Sequence, residues 1–520
     1  MSVEPTPAPA PQAARDLRAA AVGPLAHRVS PKYLEEHSLL PLGLADDGSL
    51  LVAVGGPLDP AVADELRQTY GRRLTLVEAP AAEIQSAILS ASNEAPSTLR
   101  GVDVRAADLE VLAPEEEPID DLRTLASQAP VIKLVNVILL EALRLRASDV
   151  HLESTAQGLR VRYRIDGVLQ EISHPPRHYQ AAVISRIKIM ANLNIAERRL
   201  AQDGRIRLRL SDRELDLRVS TLPALHGESV VLRVLDRGSG VPDLVELGMA
   251  EAALASIARL LRLPHGIILV TGPTGSGKTT TLYGALRRIN GPGVKIVTVE
   301  DPVEYQIEGL TQVPVAVKGG LTFASALRSI LRHDPDVIMV GEMRDTETAQ
   351  ISIQAALTGH LVFSTLHTND APGGITRLAD MGVEPYLVAA TVRGLLAQRL
   401  VRLVCDDCAE PYEPSPAELA QGAPAATARA GRPGWVFRRG RGCDACAGSG
   451  YRGRTGIYEL MVVSDELRAR VVAGSPLDDI RALARDQGMV SLREDGWTKV
   501  CAGITTIEEL LRVTSDDELR

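Results

Sequence analysis

The spacing of apolar and polar residues changes several times along the chain, and each change marks a unit. Between residues 25 and 95, Tyr33, Leu34, Leu39 and Leu40 precede the unbroken run Leu50-Leu51-Val52-Ala53-Val54, a pattern that predicts a small α/β module. Residues 96–124 include Ala113-Pro114-Glu115-Glu116-Glu117-Pro118, too charged and too proline-interrupted to build a core, and read as an acidic linker. Val131 to Leu145 places apolar residues at helical spacing. Leu159-Arg160-Val161-Arg162-Tyr163-Arg164-Ile165 then alternates strictly up to an Asp166-Gly167 turn, and Ile206–Leu210 and Leu215–Val219 alternate likewise, with arginine among the polar positions. Residues 125–238 therefore predict an α+β domain whose sheet has one core face and one largely positive face.

From residue 239 the pattern becomes helices alternating with short apolar strands, such as Ile267-Ile268-Leu269-Val270, which predicts a mainly parallel sheet with crossover helices. A helix over Thr279 to Ile289 is stopped by Gly291-Pro292-Gly293. A cysteine-bearing insertion spans 399–455, and 460–520 reads as a helical end in which Thr506 caps a first turn containing Glu508 and Glu509. Residues 1–24, rich in Pro and Ala, read as a disordered tail without the basic and apolar regions of a secretory signal.

Composition narrows the class of protein. The 520 residues are 45% hydrophobic and 24% charged, and no apolar run is long enough to cross a bilayer; even Val135 to Leu145 is broken by Asn136, Glu141 and Arg144. A cytoplasmic protein of several domains is expected. The formal charge of −9 and 3% aromatic content argue against extensive nucleic-acid binding, which usually needs a basic surface and stacking rings.

The chemistry concentrates at Gly272-Pro273-Thr274-Gly275-Ser276-Gly277-Lys278-Thr279, a complete Walker A loop followed by Thr280. Its glycines let successive N–H groups converge on phosphate oxygens, Lys278 neutralises the β/γ region, and Thr279 can ligate Mg²⁺. The required strand-loop-helix context is present, so the ligand is a nucleoside triphosphate. Asp336-Val337-Ile338-Met339-Val340-Gly341-Glu342 reads as a Walker B strand that delivers Glu342 at its C-terminal end, where ligands collect in open parallel sheets. Between the two motifs, Lys295 to Glu304 ends in Glu300, Asp301 and Glu304, three carboxylates able to orient water or a metal, although taken alone the cluster reads as a solvated turn. Thr358 to His367 carries His360 and His367 at its two ends, on opposite faces of a strand; as isolated histidines they read as structural.

Four of the five cysteines form two Cys-x₂-Cys pairs, Cys405/Cys408 and Cys443/Cys446, separated by 34 residues. This is the spacing of a closed, structural Zn²⁺ site, and a cytoplasmic location argues against disulfides. Cys501 is left over and reads as a small buried hydrophobe.

Walker A, the acidic box, Walker B and the histidine box in this order resemble the secretion ATPase superfamily, and most of all the E-type ATPases of bacterial type II secretion. Ala147 to Glu153, Ala201 to Arg205 and Ser220 to Pro223 carry the resemblance into the preceding domain, so that it covers roughly residues 125–515. It implies a RecA-like α/β P-loop ATPase core with a preceding α+β domain, a small N-terminal partner-docking module and a zinc-binding insertion. It further implies ATP and Mg²⁺ as ligands and a homo-hexameric motor whose α+β domain swings and supplies arginines to the nucleotide, here Arg205 and Arg218, with Arg233 less closely matched. The candidate catalytic set is thus Glu342, Glu304, Glu300, Lys278, Arg205, Arg218 and His360. Implied partners are the cytoplasmic domains of the L- and F-type inner-membrane proteins of the secretion system, which would hold the protein at the cytoplasmic face of the membrane. A type IV pilus assembly ATPase and a nucleic-acid translocase are the alternative readings of the same motifs.

Overall fold

The computed structural model describes residues 37–93 (46 excepted), 109–111, 129–316 (apart from 211–212 and 237–239), 319–422 and 434–515, together with Leu17, Tyr33 and Leu34. The tail expected at 1–24 lies, Leu17 apart, outside the described residues, and so does the Ala113–Pro118 segment.

The first unit comprises β1 (Leu39–Leu44), β2 (Leu50–Val54), α1 (Pro60–Tyr70), β3 (Leu74–Glu78) and α2 (Ala81–Asn93). Its sheet has the order β1-β2-β3, with β1 antiparallel and β3 parallel to β2. The continuous apolar run at Leu50–Val54 is the central strand, covered by Leu66 and Ile84 of the two helices.

The second unit comprises β4 (Leu109–Val111), α3 (Ala129–Arg144), β5 (Asp149–Thr155), β6 (Gly158–Ile165), β7 (Val168–Ser173), α4 (Gln180–Met190), β8 (Gln202–Leu210), β9 (Arg213–Ala224) and β10 (Gly227–Asp236). These strands form one sheet in the order β4-β8-β9-β10-β5-β6-β7. Leu109–Val111, inside the stretch read as linker, pairs with Leu208–Leu210 as an edge strand. On the core face Val161 and Tyr163 pack beneath α3, and the buried Tyr163 hydroxyl donates to Ile138 O at 2.7 Å. The other face is less positive than the arginine alternation suggested. Asp149 pairs with Arg233 at 2.9 Å and with Arg164 at 3.6 Å, Glu153 pairs with Arg162, and Glu171 with Arg160 at 3.5 Å. The carboxylates come from β5 and β7, strands that sheet order sets beside the arginine-bearing ones.

The third unit comprises α5 (Glu251–Leu260), β11 (Gly266–Thr271), α6 (Lys278–Ile289), β12 (Ile296–Glu300), β13 (Thr311–Pro314), α7 (Phe323–Ile330), β14 (Val337–Val340), α8 (Thr346–Leu357), β15 (Leu361–Leu366), α9 (Gly373–Asp380), α10 (Pro385–Thr391), β16 (Val392–Val404), β17 (Ala409–Pro411), α11 (Pro416–Gly422), β18 (Arg438–Gly440), β19 (Tyr451–Val462) and helices α12 to α15 (Asp465–Val472, Leu477–Asp486, Leu492–Cys501, Ile507–Thr514). The sheet order is β13-β12-β14-β15-β11-β16-β19, parallel except for β19. Successive residues of β11 serve opposite faces: Ile267 and Leu269 join one core cluster, Ile268 and Val270 the other. A strand buried on both faces needs a continuous apolar run, and that is what the sequence has there.

Among the described residues, contacts between the second and third units include one at the cysteine insertion and one at the acidic box. Asp166, left-handed at φ 47°, accepts a hydrogen bond from Gly453 N at 2.7 Å and pairs with Arg454 at 3.4 Å, at the base of the cysteine insertion. Arg218 of β9 reaches Glu304 at 3.5 Å. Among the described residues no helix is long and apolar enough to cross a membrane.

Candidate active site and metal centre

The C-terminal ends of β12, β14, β15 and β11 lie side by side, because these strands are parallel neighbours. Each presents chemistry at that end: Glu300 closes β12, Glu342 follows β14, His367 follows β15 and the Gly272–Thr279 loop follows β11. The loop turns tightly through Gly272, Gly275 and Gly277, at φ 146°, 80° and 86°. A Cβ at Gly272 would stand 2.4 Å from Gln398 O, and one at Gly277 would stand 2.8 Å from Gln398 Nε2, so the loop is seated against β16. Gln398 is buried and accepts from Thr281 Oγ at 2.7 Å. No motif flags this residue; only the neighbouring strand reveals it.

Pro273, Thr274 and Gly275 are exposed, and Thr279 and Thr280 are half-buried in the first turn of α6, where unpaired backbone N–H groups favour an anion. Ser276 Oγ is buried without a hydrogen-bond partner among the described residues. The Lys278 ammonium folds back onto Gly272 O (2.7 Å) and Pro273 O (3.0 Å). Burial pushes its pKa down to about 8, against the pull of the Glu342 carboxylate. An orphaned hydroxyl and a buried cation held only by carbonyls match a site built for phosphate.

Glu342 is 16% exposed; Arg344 pairs with its Oε1 at 2.6 Å, and His367 Nε2 lies 3.6 Å from its Oε2. Burial first, then the Lys278 charge, hold His367 below the usual imidazole pKa, so the ring beside Glu342 is neutral at pH 7. Glu304 is 33% exposed and faces Arg218. Arg205 is exposed and lies opposite Arg218 in the β8/β9 register, whereas Arg233 is tethered to Asp149.

Two members of the candidate catalytic set stand elsewhere than expected. His360 lies at the opposite end of the sheet: its carbonyl accepts from Gly266 N, at the start of β11, at 3.1 Å, and its Nδ1 lies 2.9 Å from Ala355 O. Six strand residues, roughly 20 Å, separate it from the end where Glu342 sits. Position along the strand, not the face it points to, decides the matter, and His367 is the histidine in the site. Glu300 is 2% exposed and receives hydrogen bonds from Thr298 (2.6 Å), Gln312 (3.2 Å) and Tyr283. It is a buried acceptor, not a solvent-facing base.

The four cysteines form the second site. Their sulfurs all lie within 4.8 Å of one another, with Cys405–Cys443 and Cys408–Cys446 at 3.9 Å and Cys443–Cys446 at 3.7 Å. Four thiolates at about 2.3 Å from a tetrahedral Zn²⁺ are separated by about 3.8 Å, so the cage fits that ion. Cys443 N and Gly450 N each donate to Cys446 Sγ at 3.2 Å, which favours the thiolate form. Without a metal, burial first and then hydrogen bonding among the neighbouring cysteines push the Cys408 thiol up to about 12. The insertion is also anchored without metal: Trp435 stacks edge-on against Trp497 of α14 with ring centres 5.8 Å apart, and against Phe437 at 5.9 Å.

Comparison with known proteins places the chain in a family. Residues 124–512 match the family model described as type II/IV secretion system protein, and residues 12–97 match the MshEN domain. Type II secretion system protein E of Xanthomonas campestris pv. campestris is 52% identical over 94% of this chain and 85% of its own length. The protein of the same name from Pseudomonas aeruginosa is 52% identical over 79% of this chain and 80% of its own. Among solved structures, the pilus retraction motor PilT with bound ADP aligns at TM-score 0.51 and 26% identity, covering 74% of this chain and 97% of that one. With an anion-ready P-loop, Glu342 and His367 gathered at the C-terminal ends of the parallel strands, the chain is an ATP hydrolase and belongs to the type II secretion ATPase E family.

Proposed function

We propose that the protein is a hexameric motor that couples ATP hydrolysis to pseudopilus assembly and protein export by a type II secretion system. The observation that carries this reading is the Arg218–Glu304 contact: an arginine of the second unit already stands at the acidic box of the ATPase core. Rotation of that unit would carry Arg218, with Arg205 beside it, from Glu304 to the γ-phosphate, so that nucleotide state and domain angle are coupled. Gly272 to Thr280 bind the triphosphate, Lys278 neutralises it, and Glu342 and Glu304 orient the attacking water. Thr279 and Glu342 would hold Mg²⁺, which supplies charge neutralisation at the phosphates. Cys405, Cys408, Cys443 and Cys446 would hold a structural Zn²⁺. The first unit would dock the L-type inner-membrane protein and the hexamer would engage the F-type one, holding the motor at the cytoplasmic face of the inner membrane.

The test uses the full-length protein with the cytoplasmic domain of its L-type partner. ATPase activity should rise several-fold with that domain and stay unchanged with DNA at low salt. Stimulation by DNA that falls steeply with salt would instead identify a nucleic-acid translocase.

Lys278 supplies a second test. Its pKa, lowered to about 8 by burial where it lies against two carbonyls, should rise once phosphate oxygens replace them. The sign is proton uptake on binding, larger at pH 8.5, above the lowered value, than at pH 7, below it. Calorimetric titration with MgADP in buffers of different ionisation enthalpy measures it. Uptake equal at the two pH values contradicts the assignment.

A further inference from the structure

Glu304 sits on a loop, residues 301–308, whose backbone is gripped from two sides by side chains outside the known motifs. Tyr283, fully buried on α6 five residues after Lys278, donates its hydroxyl proton to Glu300 and accepts from Glu304 N at 3.3 Å. Its phenol stays protonated, because burial and the neighbouring Glu300 charge both raise its pKa. Gln312 of β13 uses its whole amide on the same loop: Nε2 donates to Tyr305 O at 2.9 Å and to Glu300 Oε1 at 3.2 Å, and Oε1 accepts from Ile307 N at 2.8 Å. Glu300, closed off from solvent and further fixed by Thr298 Oγ at 2.6 Å, joins the two grips. The Glu304 carboxylate, left outside the network, faces Arg218.

We propose that Tyr283 and Gln312 are positioning residues for ATP hydrolysis, which clamp the 301–308 loop through Glu300 and aim Glu304 into the nucleotide cleft. The inference rests on the reading of Glu304 as a carboxylate that orients the attacking water. The network ends on the backbone of Glu304, Tyr305 and Ile307, the stretch of loop that carries the Glu304 carboxylate. It starts on the helix that carries Lys278, so that any shift of α6 would be passed to Glu304 through the Tyr283 hydroxyl. Buried, fully satisfied networks of this kind hold one geometry in preference to many.

The test compares the full-length protein with Tyr283→Phe, Gln312→Ala, Glu304→Gln and the double variant Tyr283→Phe/Glu304→Gln. Phe keeps the edge-on packing against Tyr305, whose ring centre is 6.1 Å away, and removes only the bridge. A misplacement of about 1 Å can cost up to about 10²-fold, so kcat in Tyr283→Phe and in Gln312→Ala should fall about tenfold. KM for ATP and affinity for MgADP should stay within about twofold, and Tyr283→Phe should cost nothing further in the Glu304→Gln background. The proposal is overturned if both single variants keep more than half of kcat, if MgADP affinity falls in step with kcat, or if the tenfold loss persists without the Glu304 carboxylate. Should Tyr283→Phe fail to melt cooperatively, Gln312→Ala, which does not touch Tyr283, decides by the same criteria in the presence and absence of Glu304→Gln. A Glu304→Gln enzyme with unaltered kcat would refute the role of Glu304 itself, a different result from Glu304→Gln being slow while the clamp variants are not.

Discussion

Replacing Arg218 by Ala should lower kcat about 10³-fold while leaving MgADP affinity within a few-fold and the melting temperature almost unchanged. Two physical readings of the Arg218–Glu304 contact predict very different magnitudes. As a partly exposed ion pair at 3.5 Å it would be worth about 0–1 kcal/mol of stability and nothing in turnover. As an arginine delivered to the γ-phosphate it is worth about 10³ to 10⁵ in rate. Steady-state hydrolysis by the assembled protein separates them, since a loss below tenfold is compatible only with the first. Arg218→Lys should recover little, because an ammonium lacks the planar fork that grips two phosphate oxygens. Arg233→Ala should behave differently. Its guanidinium is held by Asp149 at 2.9 Å, so the expected cost falls on the fold of the second unit and not on turnover.

Cys408→Ser should abolish stoichiometric zinc and loosen the insertion. Atomic emission on the purified wild-type protein should find one zinc per chain and on the variant none. Metal binding of this type contributes on the order of 10 kcal/mol, comparable with the marginal stability of a whole domain, so limited proteolysis should cut the variant between residues 405 and 450. The Trp435–Phe437–Trp497 cluster sets the limit of the damage, since it holds residues 435–437, just ahead of β18, on α14 independently of the metal. A wild-type chain free of zinc, with its four insertion thiols all titratable, would sink the assignment. Asp166 docks at Gly453 and Arg454, close beyond the second cysteine pair, so the same variant should weaken the contact between the second and third units.

The parts of this site legible in sequence are those whose chemistry needs particular residue types at short spacing. Gly272 to Thr279 must be contiguous because one backbone turn wraps the phosphate. Each Cys-x₂-Cys pair must be local because one knuckle supplies two thiolates. Glu342 was readable because an apolar strand leads straight to it. The arginine alternation of the second unit was readable too, but its electrostatics were not: the carboxylates that neutralise it come from β5 and β7, and their adjacency is a property of sheet order.

What the sequence determined by itself was the α/β class, the ATP-binding loop, the Walker B carboxylate and the cysteine cage, because local hydrophobic period and short-range spacing encode them. Tertiary structure decided which histidine belongs to the site, since His360 precedes β15 and His367 follows it, and only the parallel pairing with β14 and β11 sets the latter end beside Glu342 and the phosphate loop. It also decided that Glu300 is a buried acceptor and Glu304 a half-buried carboxylate facing Arg218, that Tyr283 and Gln312 hydrogen-bond Glu300 and its loop, and that Gln398 backs the phosphate loop. Those distinctions arise from contacts between strands and helices far apart in the chain, where packing, not pattern, assigns each polar atom its partner.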